Sequence, residues 1–225
     1  MKRLLIALIL LVPVVLHALS PGIDSRLTVI GGSSREEQLV REALDAALCF
    51  YEGLGYAIPE SERLTVVFAE TISLGGVEIT YAHGIYDSRN RTVYMVEMDS
   101  ARFRASKILR LPACEELYFS ILVHECAHFI NSCICSTICI SLDECLACTV
   151  QLSCMDSRLR DQVLGRGGAV PVRFRTYREI TLGAYIADPD GFVLGSYAFG
   201  KDNPRVLARI LEGRAAPVKD PMLME

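Results

Sequence analysis

Short apolar stretches with strand character and longer ones with helical spacing follow one another along the chain. Leu27-Thr-Val-Ile30 and Leu64-Thr-Val-Val-Phe-Ala69 are brief and rich in β-branched residues, which predicts two strands. Between them Leu39, Val40, Ala43, Leu44, Ala47, Leu48 and Tyr51 recur every three or four positions. They predict a helix that begins near Arg35 and stops at Gly53-Leu-Gly55. Gly31-Gly32-Ser33-Ser34 reads as the turn before it, since a phosphate loop would add a lysine and a longer glycine pattern. Residues 71–80 read as loop or weak strand with Gly75-Gly76 as the tight point. Residues 84–86 and 92–96 predict a hairpin through Asp87-Ser-Arg-Asn90.

In the second half, Leu117, Phe119, Ile121, Leu122, Val123, Ala127 and Phe129 describe a mostly buried helix, with Pro112 suited to open it and Glu115 and Glu116 to its first turn. Residues 131–140 mix cysteine with β-branched side chains and give no clear period. Leu142, Leu146, Ala147, Val150, Leu152, Met155 and Leu159 predict another helix, stopped by Gly165-Arg-Gly-Gly168. Asp188-Pro-Asp-Gly191 reads as a turn, and Phe192-Val-Leu-Gly-Ser-Tyr-Ala-Phe199 as a strand. Asn203-Pro204 then caps and opens a final helix through Leu211, before a loose tail with Pro217 and Pro221. No internal repeat is visible. The order of elements predicts an α+β fold, a small mixed sheet packed with helices and with the buried helix beneath it.

That buried helix carries the chemistry. His124-Glu125-x-x-His128 stacks two imidazoles one turn apart on one face, where their nitrogens can converge on a metal ion, and the glutamate between them can reach a metal-activated water. A helix this apolar has no other reason to carry two histidines and a carboxylate. Two histidines leave a catalytic zinc site one protein ligand short. Glu144 is the strongest candidate, because Ala147 three residues later lets the two helices approach closely. Ser141-Leu-Asp-Glu144 is also a capping-box sequence, so Glu144 has a purely structural alternative, and Asp143 points about 100° away. His83, before a glycine in an apparent loop, reads as a turn or surface residue. Gln151 could hydrogen-bond a ligand, and Tyr185 and Tyr197 are possible donors to an oxyanion.

Composition narrows the setting. Met1-Lys-Arg followed by an apolar run from Leu4 to Leu16 and by Ala18-Leu19-Ser20 has the form of an export signal over residues 1–20, leaving 21–225 as one domain in the periplasm or outside the cell. An uncleaved anchor is the alternative, although the run is shorter than the ~20 residues a span needs. Without Lys2 and Arg3 the chain has 21 basic and 27 acidic side chains, a net charge of −6, and no basic run or aromatic ladder, which argues against a nucleic-acid partner. Nine cysteines cannot all pair within one molecule. Seven lie between Cys126 and Cys154, where export favours at least one disulfide. A zinc site of Cys133, Cys135, Cys145 and Cys148, a redox-active Cys145-x-x-Cys148, and burial of Cys126, Cys148 and Cys154 as small core residues are the competing readings.

His124-Glu125-x-x-His128 followed by Glu144-x-x-Ala147 resembles the gluzincin class of zinc metallopeptidases. The run from Glu144 through Gln151 to Met155 is similar to the second helix of a group of small exported bacterial proteins built around the same core. The resemblance covers about residues 112–160. It implies a zincin-like two-helix core with Zn2+ on His124, His128 and Glu144, Glu125 as general base, and a peptide or protein as substrate. A non-peptidase zinc hydrolase, or an inactive interaction module stabilised by its metal, are the other functions this pattern allows.

Overall fold

Strand Leu64–Ala69, with every second residue buried, lies inside the sheet around which the first half of the chain is built. The computed structural model describes residues 23–165 and 173–214, so the expected export signal and the last residues of the tail lie outside them. A single-turn helix α1 (Ile23–Arg26) leads into β1 (Leu27–Ile30), and Gly31 and Gly32 make the turn that follows. Both glycines have positive φ, and a Cβ on Gly31 would meet the Phe68 carbonyl oxygen at 2.9 Å, so only glycine fits this close approach. Helix α2 (Ser34–Gly53) then crosses to β2 (Leu64–Ala69). A small hairpin of β3 (Ile72–Leu74) and β4 (Val77–Ile79) comes next, its two-residue turn made by the positive-φ pair Gly75-Gly76. Strands β5 (Gly84–Asp87) and β6 (Thr92–Val96) form the expected hairpin. The main sheet has the order β1-β2-β6-β5, parallel except for β5, which pairs antiparallel with β6 and forms an edge.

After α3 (Ala101–Arg104) a two-residue ladder joins β7 (Lys107–Ile108) to β8 (Leu111–Pro112). Pro112 therefore ends a strand instead of opening the helix, which starts three residues later as α4 (Glu115–Ile134). Helix α5 (Ile140–Cys154) is shorter than expected. Met155 takes an extended conformation, and the Asp156 carboxylate accepts from the backbone of Arg158 and Leu159 to start α6 (Ser157–Gly165). A 3-10 turn (Tyr177–Glu179) then leads to α7 (Leu182–Ala187), α8 (Pro189–Asp202) and α9 (Pro204–Leu211). Helix α4 packs against α2, α5 and β5, and α8 covers α5. Among the described residues no helix is long and apolar enough to cross a membrane.

Residues 192–199, expected as a strand, are helical. The Asp188 side chain caps the helix by accepting from Gly191 N at 3.0 Å, Pro189 occupies its first turn, and Gly191, Gly195, Ser196 and Gly200 are buried. Those small residues let α8 lie close to α5: a Cβ on Gly200 would meet Thr149 at 2.5 Å, and Thr149 Oγ1 lies 3.0 Å from the Ser196 carbonyl. Packing thus overrides the strand propensity of the aromatic and β-branched residues between the glycines.

Buried Glu36 ties three elements together. Its Oε2 accepts from Ser33 N and Oγ in a capping box at the start of α2, and its Oε1 accepts from Met98 N at 2.7 Å. The Tyr118 hydroxyl of α4 donates to the Val96 carbonyl at 2.8 Å, with Glu36 Oε1 at 3.3 Å. Burial pushes this carboxyl up, but the donors from Ser33, Met98 and Tyr118 together hold it below 4.5. Its stabilising contribution is therefore present in full above pH 4.5 and lost as pH falls through the lower folded value. Substitution Glu36→Gln should cost about 1.5–3 kcal/mol at neutral pH in urea unfolding, and the gap from the unsubstituted protein should narrow on acidification. A gap that stays constant from neutral to acid pH would show that the charge of Glu36 is not what stabilises.

Candidate metal centre

The apolar character of α4 and α5 drives them together, and the polar side chains they bury meet at their interface. Residues 135–139 turn the chain so that α5 lies along α4, and fully buried Ala147 leaves room for close approach. Glu144 lies inside α5, which begins at Ile140 with Cys139 at its cap, so it is free of the capping role its sequence also allowed. His124 and His128 turn their Nε2 atoms towards each other at 3.1 Å, rings edge-on. Glu144 reaches both, with Oε2 3.3 Å from His124 Nε2 and Oε1 3.7 Å from His128 Nε2. The three residues singled out as metal ligands are thus brought together.

Each histidine has a second nitrogen, and the two are treated differently. His128 Nδ1 donates to Asp143 Oδ2 at 2.7 Å, while Asp143 Oδ1 accepts from Asn131 Nδ2 at 2.8 Å and Asn131 Oδ1 accepts from the buried Tyr51 hydroxyl at 2.5 Å. This chain keeps the Nδ1 proton on the Asp143 side and turns Nε2 towards His124 and Glu144, where a metal would bind it by displacing any proton it carries. His124 Nδ1 is buried with no hydrogen-bond partner among the described residues. Asp143 was set aside on the ground that it faces away from a metal. It does face away, and acts through the far nitrogen of His128. Asn131, three residues after His128 on α4, and Tyr51 on α2 were not singled out at all; their only signal was a polar residue on an apolar helix face.

Glu125 is buried under the edge strand. The Tyr86 backbone N–H of β5 donates to it, and a Cβ on Gly84 would meet its Cγ at 2.8 Å. Burial holds its carboxyl above the usual range, although His124 and His128 pull the other way. Glu144 is pushed up by burial but brought below its usual range by His124, whose Nε2 is 3.3 Å from its Oε2, and by His128. Burial pushes His128 down, and Asp143, with Glu144 and Glu125, outweighs it and lifts the imidazole to about 10. Three carboxylates in so small a volume call for positive charge at their centre. The donor spacing of 3.1–3.7 Å is close to the about 3.3–3.8 Å that separates ligands of one tetrahedral zinc ion. The residues present therefore fit a divalent metal.

Cys148 adds a further donor: its sulfur, a His124 nitrogen and a Glu144 oxygen all lie within 4.8 Å of one another. All nine cysteines are free thiols, and no bond joins those between 126 and 154. Cys133, Cys135, Cys145 and Cys148 do not gather into a metal-binding group; among the described residues that trio is the one set of metal-competent donors found. Of the two tyrosines considered as oxyanion donors, Tyr185 of α7 feels the charges of Glu144, Cys148, Glu125 and Tyr81 and, being largely buried, keeps its proton well above its ordinary range. Tyr197 faces Arg160 at 6.0 Å. Gln151 donates to Ser120 Oγ at 3.2 Å, which ties α5 to α4 rather than reaching a ligand. His83 is half-buried, its ring edge-on to Phe103 at 5.6 Å.

The fold and the donor cluster define an α+β protein with a two-helix His/Glu centre. The chain belongs to the family described as "Family of unknown function (DUF6639)", whose model matches residues 27–219 and so spans the sheet and every residue of the centre. Neither the curated proteins nor the solved structures contain a match.

Two substitutions test the chain of hydrogen bonds behind His128. Asp143→Ala should weaken zinc binding about 10–100-fold in competition with a chromophoric chelator while far-ultraviolet circular dichroism stays unchanged. Tyr51→Phe leaves Asn131 Oδ1 without its donor in a dry site and should cost about 1–3 kcal/mol in urea unfolding. Zinc affinity unaltered by Asp143→Ala would remove Asp143 from any positioning role.

Proposed function

We propose that the protein is a zinc-dependent peptidase of gluzincin type, acting outside the cytoplasm if the segment 1–20 is an export signal. The observation that carries this reading is the convergence of the His124 and His128 Nε2 atoms with the Glu144 carboxylate, with Glu125 next to them on α4. Zinc held by His124, His128 and Glu144 would supply Lewis acidity to an attacking water and to the scissile carbonyl. Asp143 holds His128 in the tautomer that such binding needs. Glu125, kept above the usual carboxylate range by burial, takes a proton from the attacking water and returns it to the departing amine nitrogen. Tyr185, a largely buried phenol that feels the charges of Glu144 and Glu125 and keeps its proton, is our candidate donor to the developing oxyanion.

The edge position of β5 supports a peptide over a small-molecule ester. The outer side of an edge strand is outside the sheet ladder, and its Tyr86 N–H is engaged by Glu125 itself, which sets the proposed base at that edge. An extended peptide adding to the remaining backbone groups of β5 would bring its carbonyl towards Glu125. Zinc-loaded protein incubated with a diverse peptide mixture should give chelator-sensitive cuts identifiable by mass. Glu125→Gln should keep the fold and the metal but lose at least ~10²-fold in turnover. The double substitution His124→Ala, His128→Ala should lose the metal itself. Undiminished cutting by Glu125→Gln, or one zinc per chain in the double variant, would sink this assignment.

A further inference from the structure

On each of the two central helices the residues facing the centre come as a pair one turn apart. Helix α4 offers His124 and His128, and α5 offers Glu144 and Cys148, four residues apart and so on one face. Cys148 is fully buried, and its sulfur shares a 4.8 Å neighbourhood with donor atoms of His124 and Glu144. Cys145, three residues earlier, turns instead towards Ser196 and Thr149. The two cysteines of Cys145-x-x-Cys148 are therefore in different surroundings, and only one looks into the centre.

We propose that Cys148 is a further protein ligand of the metal, joining His124 and Glu144 in the trio of donors the fold gathers, beside His128, whose Nε2 lies 3.1 Å from that of His124. Building on the metal-site reading above, it adds a regulatory feature to that site. Ligands of one tetrahedral zinc ion sit about 3.3–3.8 Å apart, so a shift of about 1 Å, within the reach of a side-chain rotation, brings the sulfur into the shell. Zinc accepts thiolate, imidazole and carboxylate together, and the thiol proton is released to solvent when the sulfur binds. A shell filled by four side chains has the character of a closed structural site, whereas a hydrolase needs a position open to water. With its sulfur in the shell Cys148 would act as a latch, leaving no position for the water that Glu125 deprotonates, and hydrolysis would require the sulfur to withdraw.

Cobalt(II) is the probe, since a bound thiolate gives it an intense near-ultraviolet charge-transfer band that nitrogen and oxygen ligands do not. The protein loaded with one cobalt per chain should show that band. Cys148→Ala should abolish it and weaken cobalt binding at least about tenfold, and Cys145→Ala should leave both unchanged. One cobalt per chain without the band, or a band that survives Cys148→Ala, overturns the sulfur ligand and leaves the His124–His128–Glu144 site standing. Failure of the unsubstituted protein to bind cobalt overturns both. The spectrum of the unsubstituted protein decides the matter even where the Cys148→Ala variant does not fold.

Discussion

Two histidines and three carboxylates are held between helices that are otherwise apolar, and that burial sets the terms for everything around them. A charge taken out of water is tolerated only beside a partner, so buried His128 and Glu125 depend on their half-buried neighbours His124, Asp143 and Glu144. The hydrogen bonds that satisfy them also fix their geometry. Asp143 cannot turn from His128 without also leaving Asn131, and Asn131 is in turn held by Tyr51 from a third helix. The precision of the centre thus comes from α2 as much as from the two helices that carry its donors.

The rest of the fold keeps those helices in register. The sheet supports α4 through β5, α2 packs on α4, and Glu36 fastens the start of α2 to Met98 just after β6 and to Tyr118 of α4. On the far side, α8 presses Gly200 against α5 at Thr149, one residue beyond Cys148. A larger side chain at Gly200 would meet Thr149 and hold the two helices further apart. Side chains that never approach the centre therefore determine how its donors are spaced.

Much of this was readable from residue spacing. The helical period alone places His124 and His128 on one face, and the small Ala147 marks where α5 can approach, because both depend on local geometry that a sequence carries in full. The helix α8 was misread because Phe192, Val193 and Phe199 favour a strand by propensity, whereas the decisive signal was the four-residue recurrence of small residues after an Asp-Pro cap. Asp143 was undervalued because only its angle to a metal was weighed, and its partner is the opposite nitrogen of a ligand. Tyr51 and Asn131 are 80 residues apart, a pairing that no local pattern announces. Cys148 was one apolar-looking position among many until the fold showed which way it faces.

The contact between Gly84 and Glu125 carries a consequence for how β5 can lie against α4. A Cβ at position 84 would meet the Glu125 side chain at 2.8 Å, so any larger residue there would lift the edge strand off the helix and draw the Tyr86 N–H away from the carboxylate it serves. The seat of that strand is thus set by a side chain that is missing.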